Sequence, residues 1–178
     1  MRAFARAVWL VTQKDLVIES RTREILLTTV FFALACVLVF AFGFVHEGRP
    51  VQDAAAGILW IAIAFSGTLA LGRAFERERH GETLRALLIA PIDRPALYLG
   101  KLLGILVLLA AVEILVVPLI ALMFQAPLFA HPLLMLGLLA AGTVGFAAVG
   151  TLFAAMLVFF DVVFVTLALW TFEPVMTD

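Results

Sequence analysis

Glu113 stands near the middle of the apolar run Leu102 to Phe124, and Asp161 is the single charge between Leu133 and Phe172. An ionised carboxylate at the centre of a bilayer costs on the order of 2.5 to 3.5 kcal/mol on insertion scales, so such a residue needs a partner or a task. Two roles are open to Glu113: a substrate-pathway or coupling carboxylate, or a protonated or hydrogen-bonded glutamate that faces neighbouring helices. Asp161 has the same two, with the added option of a membrane interface. His46 and His131 are metal-ligand types in segments between apolar runs, and two loop histidines also suit plain solvation. His80 belongs to a charged cluster and reads as a surface residue. Cys36, the only cysteine, lies inside an apolar run. It can form no intrachain disulfide and reads as a small core hydrophobe.

Other chemistries are absent from the pattern. Gly100-Lys101 is followed by Leu102 rather than Ser or Thr, and Pro95 stands where a phosphate-binding loop would have its first glycine. There is no metal-ligand spacing and no nucleophile elbow. The chain is therefore not expected to hydrolyse ATP alone or to act as an enzyme on its own, and no catalytic or metal-binding residue is assigned.

The polar chemistry is concentrated in one segment. Of 12 Lys+Arg and 13 Asp+Glu, ten lie between Arg73 and Lys101, in RAFERERHGETLRALLIAPIDRPALYLGK. Phe75 to Arg79 alternates in charge as a solvated helix end would, and Gly81 permits a sharp reversal. Leu84, Leu87 and Leu88 then repeat at helical spacing before Pro91. A helix this short is marginal in water, so its leucine stripe must bury against the membrane domain or against a soluble partner.

The elements that position these residues are membrane spans. The chain is 65% hydrophobic and 14% charged, with a mean hydropathy of +1.16, whereas about a quarter of residues are charged in a soluble domain. A net charge of -1 says nothing about orientation, which follows the placement of basic residues. Arg2, Arg6, Lys14, Arg21 and Arg23 precede the first apolar run; Arg73, Arg77, Arg79, Arg85, Arg94 and Lys101 fall in the charged segment; only Arg49 lies elsewhere. Residues 1–24 and 73–101 are accordingly expected in the cytoplasm and the loop His46 to Asp53 outside. No nucleic-acid partner is expected.

The pattern predicts spans at Ile25 to Val45, Ala54 to Leu71 and Leu102 to Phe124, the last kinked at Pro118, with QAPLFAHP as an outer turn. About 20 residues cross a roughly 30 Å core. The first run is read as a retained span rather than a cleaved signal, since mixed-charge residues precede it and no small-residue cleavage site ends it. The second is rich in small residues (Gly57, Ala62, Ala64, Ser66, Gly67), which suits close packing inside a bundle. A fourth begins near Leu133 with a predicted contact face of Gly137, Ala141, Gly145, Ala148 and Thr151. Leu133 to Phe172 is too long for one span and is expected to comprise two spans or parts of two. A connecting segment is then absent near Leu157 to Phe160, or the two are fused. Before the first span, Phe4, Val8, Val11 and Ile18 share one helical face opposite Arg2, Arg6, Gln13 and Ser20, with Asp15 falling on the apolar side; this suits a helix lying in the cytoplasmic interface, in contact with membrane lipid. The expected architecture is an all-α polytopic membrane protein with five spans in evidence, divided into an N-terminal cytoplasmic helix, 1–24, and a transmembrane domain, 25–178.

FERERHGETLRALLIAPIDRPALYLGK, set between a small-residue span and a span with a mid-membrane carboxylate, resembles the heme exporter B (CcmB) family. These are permease subunits of the cytochrome c maturation ABC complex. The closing FDVVFVTLALWTFE is similar to the family's last span. The resemblance implies an ABC exporter permease-like bundle of six spans in a bacterial inner membrane, two permease copies, and a separate ATP-binding ATPase subunit resembling CcmA. It also implies further cytochrome c maturation membrane subunits and a heme chaperone. Heme would be substrate of the complex rather than a resident cofactor: either it crosses, or the motion releases loaded chaperone from a neighbouring subunit. Arg77 to Leu88 would be the coupling helix, with Arg77, Glu78, Arg79, Gly81, Glu82, Leu84, Leu87 and Leu88 at the ATPase, and Glu113 and Asp161 as intramembrane functional candidates. One further span, expected after Leu157, is missing from the pattern. Two other readings fit the bare pattern: a general ABC permease exporting a lipid, glycan or drug, and a membrane scaffold that recruits a soluble partner.

Overall fold

The computed structural model describes residues 2–46, 49–80 and 93–172. Its helices are α1 (Arg2–Thr22), α2 (Glu24–Gly43), α3 (Ala55–His80), α4 (Arg94–Phe124) and α5 (Pro132–Phe172). A two-residue antiparallel ladder, β1 (Val45–His46) with β2 (Arg49–Pro50), and a 3-10 turn at Gln52–Ala54 join α2 to α3. The all-α membrane architecture is as expected: among the described residues four helices are long and apolar enough to cross a bilayer.

The breaks have local causes. α1 and α2 are separated at Arg23, which adopts φ 53°, a left-handed conformation that costs a non-glycine residue about 1–2 kcal/mol. Gln125, at φ 51°, closes α4 in the same conformation, the usual way a helix ends its hydrogen-bond ladder. Pro95 and Pro132 sit in the first turns of α4 and α5, where a missing N–H costs nothing. α4 runs on through Pro118 as one helix.

In lipid the driving force between helices is close packing, and α3 is where it concentrates. Half of its apolar stretch is buried, against 17–33% in the other three spans, and it touches α2, α4 and α5. The half of the core away from α1 joins Val37 of α2, Ile58 and Ile63 of α3 and Val116, Ile120 and Phe124 of α4; Cys36 packs at its edge as a partly buried side chain. Nearer α1, Leu71, Ile105, Leu109 and Ala147 form a second cluster. Large apolar side chains such as Phe31, Phe42, Ile114 and Leu133 point outward, as a lipid-facing surface requires.

Two expectations change. The contact face of α5 is turned from the one expected: Gly137, Ala141 and Gly145 are exposed and Ala148 is half-buried, whereas Leu139, Thr143 and Ala147 are buried; of the expected face only Thr151 is buried. The reason is the partner's bulk. Trp60 and Leu71 of α3 lie directly over Gly142 and Gly150, so tightly that a Cβ at either glycine would clash. The second change concerns Leu133 to Phe172, which falls within one continuous 41-residue helix, Pro132–Phe172, with no turn at 157–160. At 1.5 Å per residue it is about 62 Å long, twice a roughly 30 Å core, and its recognised span is Pro132–Met156.

Candidate functional site

One end of the helix bundle is tied together by α1. Its predicted apolar face packs mainly on α4. The approach is close because α4 presents Gly100, where an added Cβ would come within 2.7 Å of Val11. Thr12 fills the next position, its hydroxyl donating to Val8 O and Gly100 O at 3.0 Å each. One turn on, the Lys101 ammonium meets Asp15 Oδ2 at 2.7 Å, with Lys14 on Asp15 Oδ1 at 3.1 Å. Asp15 breaks the amphipathic pattern because the α4 surface it faces is itself charged.

Glu19 lies one turn beyond Asp15 on the same face and holds two other elements. Its Oε2 accepts from Arg77 Nη2 of α3 at 3.0 Å, and its Oε1 accepts from the backbone N–H of Leu26 at 2.7 Å. Arg23 gives α2 no side-chain cap, so Glu19 supplies from the preceding helix the acceptor that a cap residue would provide. These pairs are shielded: the side chains of Lys101, Glu19 and Asp15 are only 7%, 13% and 23% exposed. The fourth pair, Arg73 with Glu24 at 3.8 Å, is open to solvent. A cavity of about 350 Å³ lies among these groups, with Asp15, Glu19, Arg77 and Lys101 in its wall and Ile105 and Leu108 among its apolar lining.

The second polar place is inside the bundle. Glu113 on α4 accepts a hydrogen bond from the Thr143 hydroxyl of α5, and Thr143 is buried. Twelve residues separate Glu113 from Lys101, which puts the carboxylate about 18 Å further along α4, near mid-membrane. In the first turns of α4, Tyr98 Oη donates to Ala148 O at 2.8 Å and ties α4 to α5 again.

The candidate residues are thus only partly brought together. Arg77 is placed, and it points at Glu19. Gly81, Glu82, Leu84, Leu87 and Leu88 lie outside the described residues, as do the side chains of Glu78, Arg79 and Asp161. His131 is exposed at the start of α5, and among the described residues no cluster of three or more His, Cys, Asp or Glu is present. Asp15, Glu19, Lys101 and Thr143 were not among the sequence candidates. For Asp15 the signal was available as the exception on an apolar face; for Thr143 there was none, since a threonine in a span commonly satisfies itself on its own backbone.

Comparison with known proteins places the molecule. Curated relatives include proteins named heme exporter protein B from Escherichia coli strain K12, Escherichia coli O157:H7 and Shigella flexneri. Each is 26% identical over 96 residues, which is 54% of this chain and 44% of the relative. The matched stretch therefore spans less than half the length of those relatives. No solved structure matches the chain. The family model described as CcmB protein matches residues 6–176, nearly the whole length, and the chain belongs to the CcmB family.

Proposed function

We propose that this chain is the membrane permease subunit of an ATP-driven ABC transporter complex acting in heme delivery for c-type cytochrome maturation. It works in a bacterial inner membrane with its N-terminus in the cytoplasm. The observation that carries this reading is the family match over residues 6–176, on a bundle with four helices able to cross a bilayer. Work from a CcmA-like ATPase subunit enters at Arg73 to Lys101 and rearranges the bundle, with two permease copies in the assembly and the other maturation subunits beside it. The shielded ion pairs on Arg77 and Lys101 support this, because a segment that transmits force needs firm attachment at both flanks. Glu113 is the coupling or pathway carboxylate, held toward α5 by Thr143.

Purification of a tagged chain from its native membrane tests the reading. An ABC ATPase subunit is expected to come with it; recovery of the intact chain without one sinks the proposal. Within the recovered complex, Leu84→Asp with Leu87→Asp is expected to release the ATPase while the chain stays inserted. Glu113→Gln is expected to lower c-type cytochrome maturation more than it lowers the amount of protein, and equal losses would mark Glu113 as structural.

A further inference from the structure

Asp15 and Glu19 occupy neighbouring turns of α1 and reach the two flanks of the cytoplasmic segment separately. Asp15 takes Lys101, in the second turn of α4, and Glu19 takes Arg77, in the last turn of α3. One helix therefore bridges the flanks from which any displacement of 78–100 must leave. Glu19 also carries the contact onward, since its second oxygen holds the first turn of α2 through Leu26 N–H. The junction between α1 and α2 has no spare length to absorb movement. A single residue, Arg23, separates the helices, and its left-handed turn is pinned by Arg23 N to Glu19 O at 2.7 Å and Leu27 N to Arg23 O at 3.0 Å.

We propose that α1 is a transmission brace: Asp15 and Glu19 are positioning residues that lock the two flanks of segment 73–101 to each other and pass its displacement to the first span. This rests on the coupling role proposed for that segment. The chemistry suits a rigid link. Lys101 and Glu19 are almost fully covered, and an ion pair out of water is less screened than one on the surface. Gly100 and Thr12 hold α1 against α4 so that the Asp15–Lys101 pair has little freedom to slide.

The two functions of Glu19 can be separated. In Glu19→Gln the amide oxygen can still accept from Leu26 N–H while the charge that binds Arg77 is gone. Asp15→Asn does the same for Lys101. In the whole complex, both variants are expected to keep the chain in the membrane and the ATPase bound, and to lower cytochrome maturation per mole of complex by about tenfold, the size typical of coupling between sites. The exchange Glu19→Arg with Arg77→Glu restores the pair in reverse and is expected to recover much of what Glu19→Arg alone loses. Maturation that falls only in step with protein level, or does not fall, overturns the brace, as does an exchange no better than Glu19→Arg. The two proposals fail differently. An unaltered chain that brings no ATPase strikes the transporter reading; an ATPase present with every chain, and maturation unmoved by the variants, strikes the brace alone.

Discussion

The α1 end and the membrane middle of this protein are held by different physics. At the α1 end a few charged groups set the geometry: Asp15, Glu19, Arg77 and Lys101 fix four helices within two turns of α1. In the middle, shape does the holding. Trp60 over Gly142 and Leu71 over Gly150 seat α3 on α5, and Glu113 with Thr143 is the one side-chain to side-chain hydrogen bond found there among the described residues. Polar pairs hold where water is near enough to make partial desolvation tolerable, and packing holds where lipid gives no hydrophobic gain. Each half is therefore expected to be fragile to a different change: the middle to added volume, the end to lost charge.

The largest effect is therefore expected from volume in the middle. Gly142→Leu puts a side chain where the Trp60 ring already lies; overpacking typically costs about 1–3 kcal/mol and occasionally more, and because even a Cβ alone would clash with the ring here the cost is expected above that range. The melting temperature of the purified complex should fall sharply, and Trp60→Ala in the same chain should recover part of it. An unshifted melting temperature would mean α3 and α5 do not meet at this glycine. Next comes lost charge at the end. Asp15→Ala removes the 2.7 Å partner of Lys101, a covered ammonium; a hydrogen bond to a charged group contributes about 1.5–3 kcal/mol. Asp15→Asn should fall between the variant and the parent. Thr143→Val should cost less, about 0.6 kcal/mol, the average for a hydrogen bond between helices in a bilayer. A loss from Thr143→Val as large as that from Asp15→Ala would erase the distinction between the two regions.

The sequence made the membrane half legible only in outline. Run lengths gave the four spans because the thickness of a bilayer sets how many apolar residues must run together. They could not give the azimuth of α5: LGLLAAGTVGFAAVG offers two interleaved small-residue faces, and only the position of Trp60 and Leu71 on another helix chooses between them. The same blindness hid Thr143. At the α1 end, more could be read. Asp15 interrupts a helical apolar face, and a charge there announces a charged neighbour, although nothing local names Lys101, which is 86 residues away. Glu19 capping a different helix has no sequence signature, because its acceptor role exists only once Arg23 has turned the chain.

Arg73 and Glu24 set an open ion pair beside the covered ones. This pair joins α3 to α2 at the same end of the bundle as Glu19 and Arg77, yet its separation is 3.8 Å and its side chains are 40% and 63% exposed. If charge alone stabilised this end, Arg73→Ala would cost as much as Asp15→Ala. Shielding argues otherwise: an exposed pair typically contributes 0.2–1 kcal/mol, and the long separation puts this one near the bottom of that range. Arg73→Ala is expected to leave the melting temperature almost unchanged, and raising the salt concentration should remove whatever small difference remains. The Asp15–Lys101 pair should respond less to the same salt, since its side chains are only 23% and 7% exposed and are screened less than a surface pair. Equal salt sensitivity of the two pairs would place Asp15 in open solvent and dissolve the contrast between a covered link and a surface one.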